Sequence, residues 1–346
     1  ELFTVDANEI LNDSEINVVV ELIDDATAAF KLVKKALQSG KSVVTANKKM
    51  IAENHAELIK LQKDNDVSLL YEAAVCGSIP IIRNLEEYFD NDLLSQVSGI
   101  VNGSTNYILT KMAYGQKSYA EALQEAQASG FAESDPTFDV NGTDAAHKLS
   151  IIALHAFGNF VDHKQILSKG ITALSAQDFR FAKEKGLKIK LLASTITSEN
   201  GNNEQQHTVF PTFVKAESTL SQVDNEYNGV LVGSSLADEQ FLYGKGAGRF
   251  PTASAVLSDI SALRYDYKYE FRKGTNQKAN TDRTASKAYY ISFDRKEKID
   301  LLIFSKVHEQ YSNGQRAYVI GDIKDENLKK IDFWKNDSIS IIAFDD

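Results

Sequence analysis

Three short apolar runs, separated by two stretches of helical period, most constrain how this chain can fold. Val18-Val19-Val20-Glu21-Leu22-Ile23 is nearly continuous in apolar character, as expected of a strand buried on both faces. After Asp24-Asp25, a helical stretch carries Phe30, Val33 and Leu37 on one stripe and stops at Gly40. Ser42–Ala46 reads as the next strand. A helix around Ala52–Lys63 follows, with Leu58, Ile59 and Leu61 apolar, and Ser68–Val75 reads as a third strand. Strand, helix, strand, helix, strand with short connections predicts an α/β protein with a parallel, doubly wound sheet. Ligands in such sheets sit at the carboxyl ends of the strands. That rule nominates Asp24, Asp25, Asn47, Lys48 and Gly77. No G-x-G-x-x-G precedes the first run. The chain therefore reads either as a dinucleotide-binding fold lacking its first strand, phosphate loop and helix, or as a parallel fold of another kind.

The middle of the chain changes character. Asn102–Tyr114, Tyr119–Ser129 and Thr143–Phe157 read as helices, and Leu187–Ser198, His207–Lys215 and Tyr227–Val232 as strands. At Gly244-Lys245-Gly246-Ala247-Gly248 a glycine-rich loop opens a helix, and closely spaced glycines let a backbone approach a ligand. Lys273–Ser286 is polar and basic and is expected to be mobile. Ala288–Phe293 and Ile339–Phe344 are strand-like. The elements suggest an incomplete parallel α/β domain over 1–76 and an α+β domain over 77–240 inserted after it. A glycine-rich segment with a helix follows over 241–266, and 267–346 form a C-terminal region read as a small α/β appendage.

A net charge of −10 argues against a nucleic-acid partner. No apolar run approaches the roughly 20 residues that cross a bilayer. The N-terminal residues lack the basic-then-apolar pattern of a signal peptide. The single cysteine, Cys76, excludes an intrachain disulfide and a multi-cysteine metal site. Together these point to a cytoplasmic protein.

The segment from Gly130 to Lys148 is the richest in chemistry. Glu133, Asp135, Asp139 and Asp144 crowd toward Lys148, and Asp144 stands four residues before it on one helical face. Leu149, Ile152, Ala153 and Ala156 form the core stripe of that helix, which leaves Asp144 and Lys148 on the adjoining face. Such a cluster is either a solvated salt bridge or a site that holds an amino acid and moves a proton. Lys48 ends a strand and opens a helix, and is either a ligand-facing lysine that meets a carboxylate, hydroxyl or cofactor or a solvated lysine beside Lys49, although helix N-termini disfavour cations. Glu72 lies inside an apolar run and needs a partner, whether a cation, a metal ion or backbone donors. Neighbouring turn carbonyls suit a hard monovalent cation. Cys76 is either a nucleophile at a helix N-terminus or a small buried residue. Val101-Asn102-Gly103-Ser104-Thr105-Asn106 is either a helix cap or a set of contacts to a nicotinamide amide or ribose.

Taken together, T-A-N-K at Thr45–Lys48, E-A-A-V-x-G-x-I-P-I-I at Glu72–Ile82, G-I-V-N-G-S-T-N-Y-I-L at Gly99–Leu109, A-E-S-D-P-T-F-D-V-x-G-x-D-A-A-H-K at Ala132–Lys148 and G-x-G-A-G-x-x-P-T-A-S-A at Gly244–Ala255 resemble the homoserine dehydrogenase family. The resemblance runs from about Ile16 to Leu263. It implies NAD- or NADP-dependent interconversion of L-homoserine and L-aspartate 4-semialdehyde, in threonine and methionine biosynthesis. It implies that Lys148 is the proton-transfer residue, with Asp144 beside it. Glu133, Asp139, Lys48 and Gly130 would hold the substrate. Lys48, Asn102, Thr105, Gly244 and Gly246 would meet the cofactor. Glu72, Val75, Gly77 and Ile79 would hold a sodium ion, mostly by backbone carbonyls. It also implies a homodimer, with 77–240 binding substrate and dimerising and 241–266 returning to the nucleotide-binding domain of 1–76. The sequence departs from the family in four places. The phosphate loop is missing, Asp24-Asp25 replace Gly-Gly, Cys76 replaces a smaller residue, and the tail is shorter than a regulatory ACT domain and lacks its Asp-x-Pro-Gly turn. Threonine feedback through such a domain is not expected, and the chain as given is expected to bind NAD(P) weakly. Two other readings stand beside it: a semialdehyde dehydrogenase with Cys76 as nucleophile, and a non-catalytic dimeric binding protein.

Overall fold

A computed structural model describes residues 3–90, 93–115, 117–198, 204–273, 286–297, 299–313, 316–328, 336 and 338–345. In chain order the elements begin α1 (Ala7–Asn12), β1 (Val18–Glu21), α2 (Ala26–Gln38), β2 (Ser42–Thr45), α3 (Lys48–Asn65), β3 (Leu69–Leu70) and α4 (Ile81–Arg83). There follow β4 (Leu94–Ile100), α5 (Gly103–Gly115), α6 (Tyr119–Ala128), α7 (Thr137–Val140), α8 (Thr143–Phe157), β5 (Leu167–Ser168) and α9 (Ala176–Glu184). Then come β6 (Leu187–Thr197), β7 (Gln205–Lys215), β8 (Tyr227–Ser234), β9 (Asp238–Lys245) and α10 (Arg249–Leu263). The remainder is β10 (Ser286–Asp294), β11 (Lys306–Asn313), β12 (Arg316–Lys324), α11 (Asp325–Leu328) and β13 (Ile339–Phe344).

The chain divides into two compact units. The first holds Glu1–Asp92, Ser150–Asp162 and Gly244–Gln277, and the second holds Leu93–Leu149, His163–Tyr243 and Lys278–Asp346. These limits differ from the boundaries expected at 76, 240 and 266: the first falls sixteen residues later, and one falls inside α8.

The first unit contains the parallel sheet β1-β2-β3, with Val18 opposite Ser42 and Val44 opposite Leu70. The α2 helix starts where the Asp25 carboxylate accepts the Ala28 N–H, and it buries Ala29, Val33, Ala36 and Leu37. The α3 helix starts four residues earlier than expected, because the Asn47 side chain caps it through the Met50 N–H. Two expectations fail here. The first strand is not buried on both faces: Val20 is 41% exposed and Leu22 60% exposed, because β1 is an edge strand of this sheet with one face uncovered. The third strand stops at Leu70 and gives way to a single 3-10 turn at Glu72–Ala74. A strand would carry the Glu72 carboxylate into apolar packing, whereas the turn brings it to backbone donors.

The second unit is built on a ten-stranded sheet, β11-β12-β10-β13-β7-β6-β4-β8-β9, with β5 beside β7. The ladders β4–β6, β4–β8, β6–β7, β10–β12, β10–β13 and β11–β12 are antiparallel, while β5 and β13 run parallel to β7. One core gathers Ile100, Leu192, Val214, Leu220, Val223 and Leu231. Another gathers Phe210, Tyr289, Ile291, Val319, Ile339 and Ile341. The last strands therefore extend this sheet and are not a separate appendage. Asp178 ties them in: its buried carboxylate accepts from the Ser175 N–H and hydroxyl, the Ser292 hydroxyl and the Ser340 hydroxyl. The polar stretch expected to be mobile lies outside the described residues from 274 to 285. Among the described residues no helix is long and apolar enough to cross a membrane.

Candidate active site

In the second unit, β4 ends at Ile100 and the chain leaves the sheet through Val101-Asn102 into α5. Asn102 is the hinge of this exit. Its Oδ1 accepts the Thr105 N–H at 2.9 Å and the Thr105 hydroxyl at 3.0 Å, which caps α5. Its Nδ2 donates to Asp139 Oδ1 and to Asp144 Oδ2, each at 2.8 Å. Asp139 lies on the single turn α7, and Asp144 on the first turn of α8. Gly142, at φ +86°, makes the bend between them, and a Cβ there would stand 2.8 Å from Ser168 Oγ.

Lys148 Nζ lies 2.8 Å from Asp144 Oδ2 and donates to the Val101 carbonyl at 2.6 Å. The pairing read from the sequence is therefore present, but its setting differs. Asp144 is 2% exposed and Lys148 8%, and α8 is buried on every side from Ala145 to Ala156. An ion pair withdrawn from water in this way is far more strongly coupled than one on a solvated helix face.

Glu133 is not drawn into this cluster. It sits on the exposed loop after α6, where Gln127 Nε2 donates to its backbone carbonyl. Asp135 instead caps the Thr137 N–H. Gly130, at φ +75°, ends α6 with open space around it. The loop is held by its own turn residues and by Gln127.

The first unit holds the other candidates. Lys48 is the first residue of α3 and is half-buried. Glu72, 3% exposed, accepts the Ile82 N–H at 2.8 Å and the Arg83 N–H at 2.9 Å. Burial pushes its carboxyl up to about 7 against the pull of those two donors. Its own N–H donates to Asp259, which also pairs with Arg83 at 2.7 Å. The partners of the Glu72 carboxylate are thus backbone donors.

The turn that follows places Cys76 and Gly77 in the left-handed region, at φ +55° and +53°. The glycine-rich loop packs directly on it. A Cβ on Gly77 would stand 2.6 Å from the Gly246 carbonyl oxygen, and the Ser78 N–H donates to the Lys245 carbonyl. Gly248, at φ +109°, opens α10. Cys76 is 1% exposed.

The donor chemistry of this turn bears on a sodium ion. Hard cations take oxygen ligands. Glu72, Val75, Gly77 and Ile79 offer backbone carbonyls within eight residues, while the Glu72 carboxylate is already committed to two N–H groups. The set fits a cation held by backbone oxygens. Among the described residues no group of three or more His, Cys, Asp or Glu side chains could hold a metal ion.

Three features were not anticipated from the sequence: the Asn102 bridge, the Arg83–Asp259 pair beneath Glu72, and a buried chain in which Tyr71 Oη meets His155 Nε2 at 2.9 Å and His155 Nδ1 meets Glu86 at 2.6 Å. Asp259 carried a readable signal, since it is an acid set among Ala255, Val256, Ile260 and Leu263 on one helix.

Two family models match the chain: homoserine dehydrogenase over residues 80–261, and the homoserine dehydrogenase NAD binding domain over residues 1–72. The homoserine dehydrogenase of Neisseria gonorrhoeae is 40% identical over 258 residues, 75% of this chain and 59% of that protein. That of Lactococcus lactis is 35% identical over 336 residues, 92% of this chain and 78% of that protein. The chain thus spans less than two thirds of the Neisseria relative's length. The crystal structure of a homoserine dehydrogenase from Thiobacillus denitrificans superposes with a TM-score of 0.86 at 30% identity, covering 99% of this chain and 85% of that one. With both parts of the chain matched, and with the long acidic motif ending on a buried lysine, the chain belongs to the homoserine dehydrogenase family.

Proposed function

We propose that this chain acts as a homoserine dehydrogenase, interconverting L-homoserine and L-aspartate 4-semialdehyde with NAD or NADP. The observation that carries this reading is the buried Lys148 ammonium, set between Asp144 Oδ2 at 2.8 Å and the Val101 carbonyl at 2.6 Å. A lysine so placed is suited to hold a proton and release it to a substrate oxygen. In the reductive direction Lys148 gives its proton to the aldehyde oxygen, and in the oxidative direction the neutral amine takes it back from the hydroxyl. When bound, the nicotinamide dinucleotide supplies or accepts the hydride. Asp144 and Asp139 fix the charge state of the lysine and, with Glu133 on its exposed loop and the nearby Gly130 turn, offer acidic and backbone groups to the substrate's ammonium. Lys48, at the mouth of the parallel sheet, would meet cofactor and substrate, and Gly244 and Gly246 would meet the cofactor by their backbone. The carbonyls of Glu72, Val75, Gly77 and Ile79 would hold sodium. The same reading takes the protein to be a cytoplasmic homodimer.

The reading with Cys76 as nucleophile is not favoured, because that thiol is 1% exposed within a tightly packed turn. The test is formation of reduced cofactor from L-homoserine, followed by absorbance. Lys148→Ala is expected to lower turnover by about a thousandfold with the fold intact, and Cys76→Ser to leave it nearly unchanged. Activity of Lys148→Ala within about tenfold of the parent, roughly 1.4 kcal/mol of barrier, would sink the role of Lys148. Loss of activity in Cys76→Ser would favour the alternative.

A further inference from the structure

The bonding of Asn102 leaves its carboxamide one orientation. Oδ1 faces the Thr105 N–H and hydroxyl, so the amide nitrogen must face the other way. An amide nitrogen has two protons, and these go one each to Asp139 Oδ1 and Asp144 Oδ2. The Asp144 oxygen it reaches is the same one that meets Lys148 Nζ. Asn102 is 5% exposed, so none of these bonds is traded freely with water.

We infer that Asn102 is a positioning residue for proton transfer at Lys148: one neutral carboxamide clamps Asp139 and Asp144 together and shares the Asp144 oxygen with the lysine. This inference rests on the dehydrogenase reading above and adds to it a residue that touches the acids, not the reacting atoms. The choice of asparagine has a physical reason. Two carboxylates drawn close repel each other, and a bridge with two N–H donors offsets that repulsion. A cationic bridge would do so as well, but it would compete with Lys148 for the same negative charge. A neutral bridge leaves that charge for the ammonium while taking up part of it by hydrogen bonding. Without the bridge, Asp144 turns more fully to Lys148, holds the ammonium more tightly and makes it a poorer proton donor. The same carboxamide caps α5, so the clamp is fixed to the exit of β4 and cannot drift with α7.

The test separates the cap from the clamp. Asn102→Ser in the full-length protein keeps an oxygen that can cap the Thr105 N–H and removes both donors to the acids. Two readouts apply: the Lys148 titration, followed by NMR in lysine-labelled protein and assigned with Lys148→Arg, and kcat against KM for reduction of L-aspartate 4-semialdehyde, the direction in which Lys148 donates its proton. The clamp predicts a Lys148 titration raised by about half a pH unit or more and a kcat about tenfold lower. A merely structural cap predicts neither. A titration that stays in place or moves down, with kcat within about twofold of the parent, would overturn the inference. If Asn102→Ser does not fold, Asn102→Asp keeps size and cap and sets a third carboxylate against the other two. The titration should then rise further, and an unmoved titration again overturns the clamp. The NMR titration needs no turnover. A parent protein that fails to oxidise homoserine would therefore refute the dehydrogenase reading while leaving the clamp to be judged by the titration.

Discussion

Gly77 and Gly246 approach so closely that a Cβ on the first would lie 2.6 Å from the carbonyl oxygen of the second. Real Cβ atoms do not tolerate that distance, and the obstacle is backbone on both sides. Gly77 also sits at φ +53°, where a side chain adds strain of its own. Gly77→Ala is therefore expected to destabilise the protein by about 3 kcal/mol, combining strain and overpacking. Gly130→Ala is the control: φ is +75° there, but nothing lies within 4 Å of the added carbon. Its cost should be only the backbone strain, about 1 kcal/mol. Urea unfolding midpoints of the two variants would check this, and equal shifts would show that the contact with Gly246 does not matter.

Glu72 gives a prediction with a definite sign. Burial raises its carboxyl from an ordinary 4.5 to about 7. Between those pH values the folded protein holds a proton that the unfolded chain has released. The stability linked to Glu72 is thus fully present below about pH 4.5 and is lost as the pH rises through about 7. Glu72→Gln cannot titrate. Its stability relative to the parent should improve across that window by up to about 3 kcal/mol. Denaturation series at several pH values would show it. A difference between the two proteins that does not change with pH would mean that Glu72 is ionised throughout.

Asn228, on β8, is fully buried, and neither of its amide atoms has a hydrogen-bond partner among the described residues. An unmet buried amide costs about 1–3 kcal/mol, and an apolar side chain of similar size avoids that cost. Asn228→Leu is expected to raise the melting temperature by several degrees, at the lower end for a protein of this length. Calorimetry would decide it. A lower melting temperature would show that the amide is satisfied in solution, most simply by an enclosed water.

What could be read from the sequence follows from how locally each feature is encoded. Helix α8, Thr143–Phe157, and strand β13, Ile339–Phe344, match the expected limits residue for residue, because each is written in its own periodicity. The Asp144–Lys148 pair is likewise a matter of four residues along one helix. The misreadings involve partners distant in sequence. The run around Glu72 reads as a strand, whereas donors ten and eleven residues on, together with Asp259, 187 residues away, bend the chain there. The bridge from Asn102 to Asp139 and Asp144 spans 37 and 42 residues. Glu133 is near the other acids in sequence, but its side chain lies exposed on the turn after α6, a setting that only tertiary structure reveals. The exposure of Val20 and Leu22 depends on which elements cover β1, and a run of valines does not reveal that.

The seat of β13, between β10 and β7, limits how this protein can vary. A segment that only leans on its neighbours can be lost, duplicated or exchanged as a cassette. β13 instead supplies the partner for Thr212 and Phe213, and its loss would bare backbone N–H and C=O groups in the middle of a ladder, an open invitation to pair with another chain. Without β13, β7 and β10 would each present an unpaired edge inside the sheet, so the strand acts as a seal between two halves of one ladder.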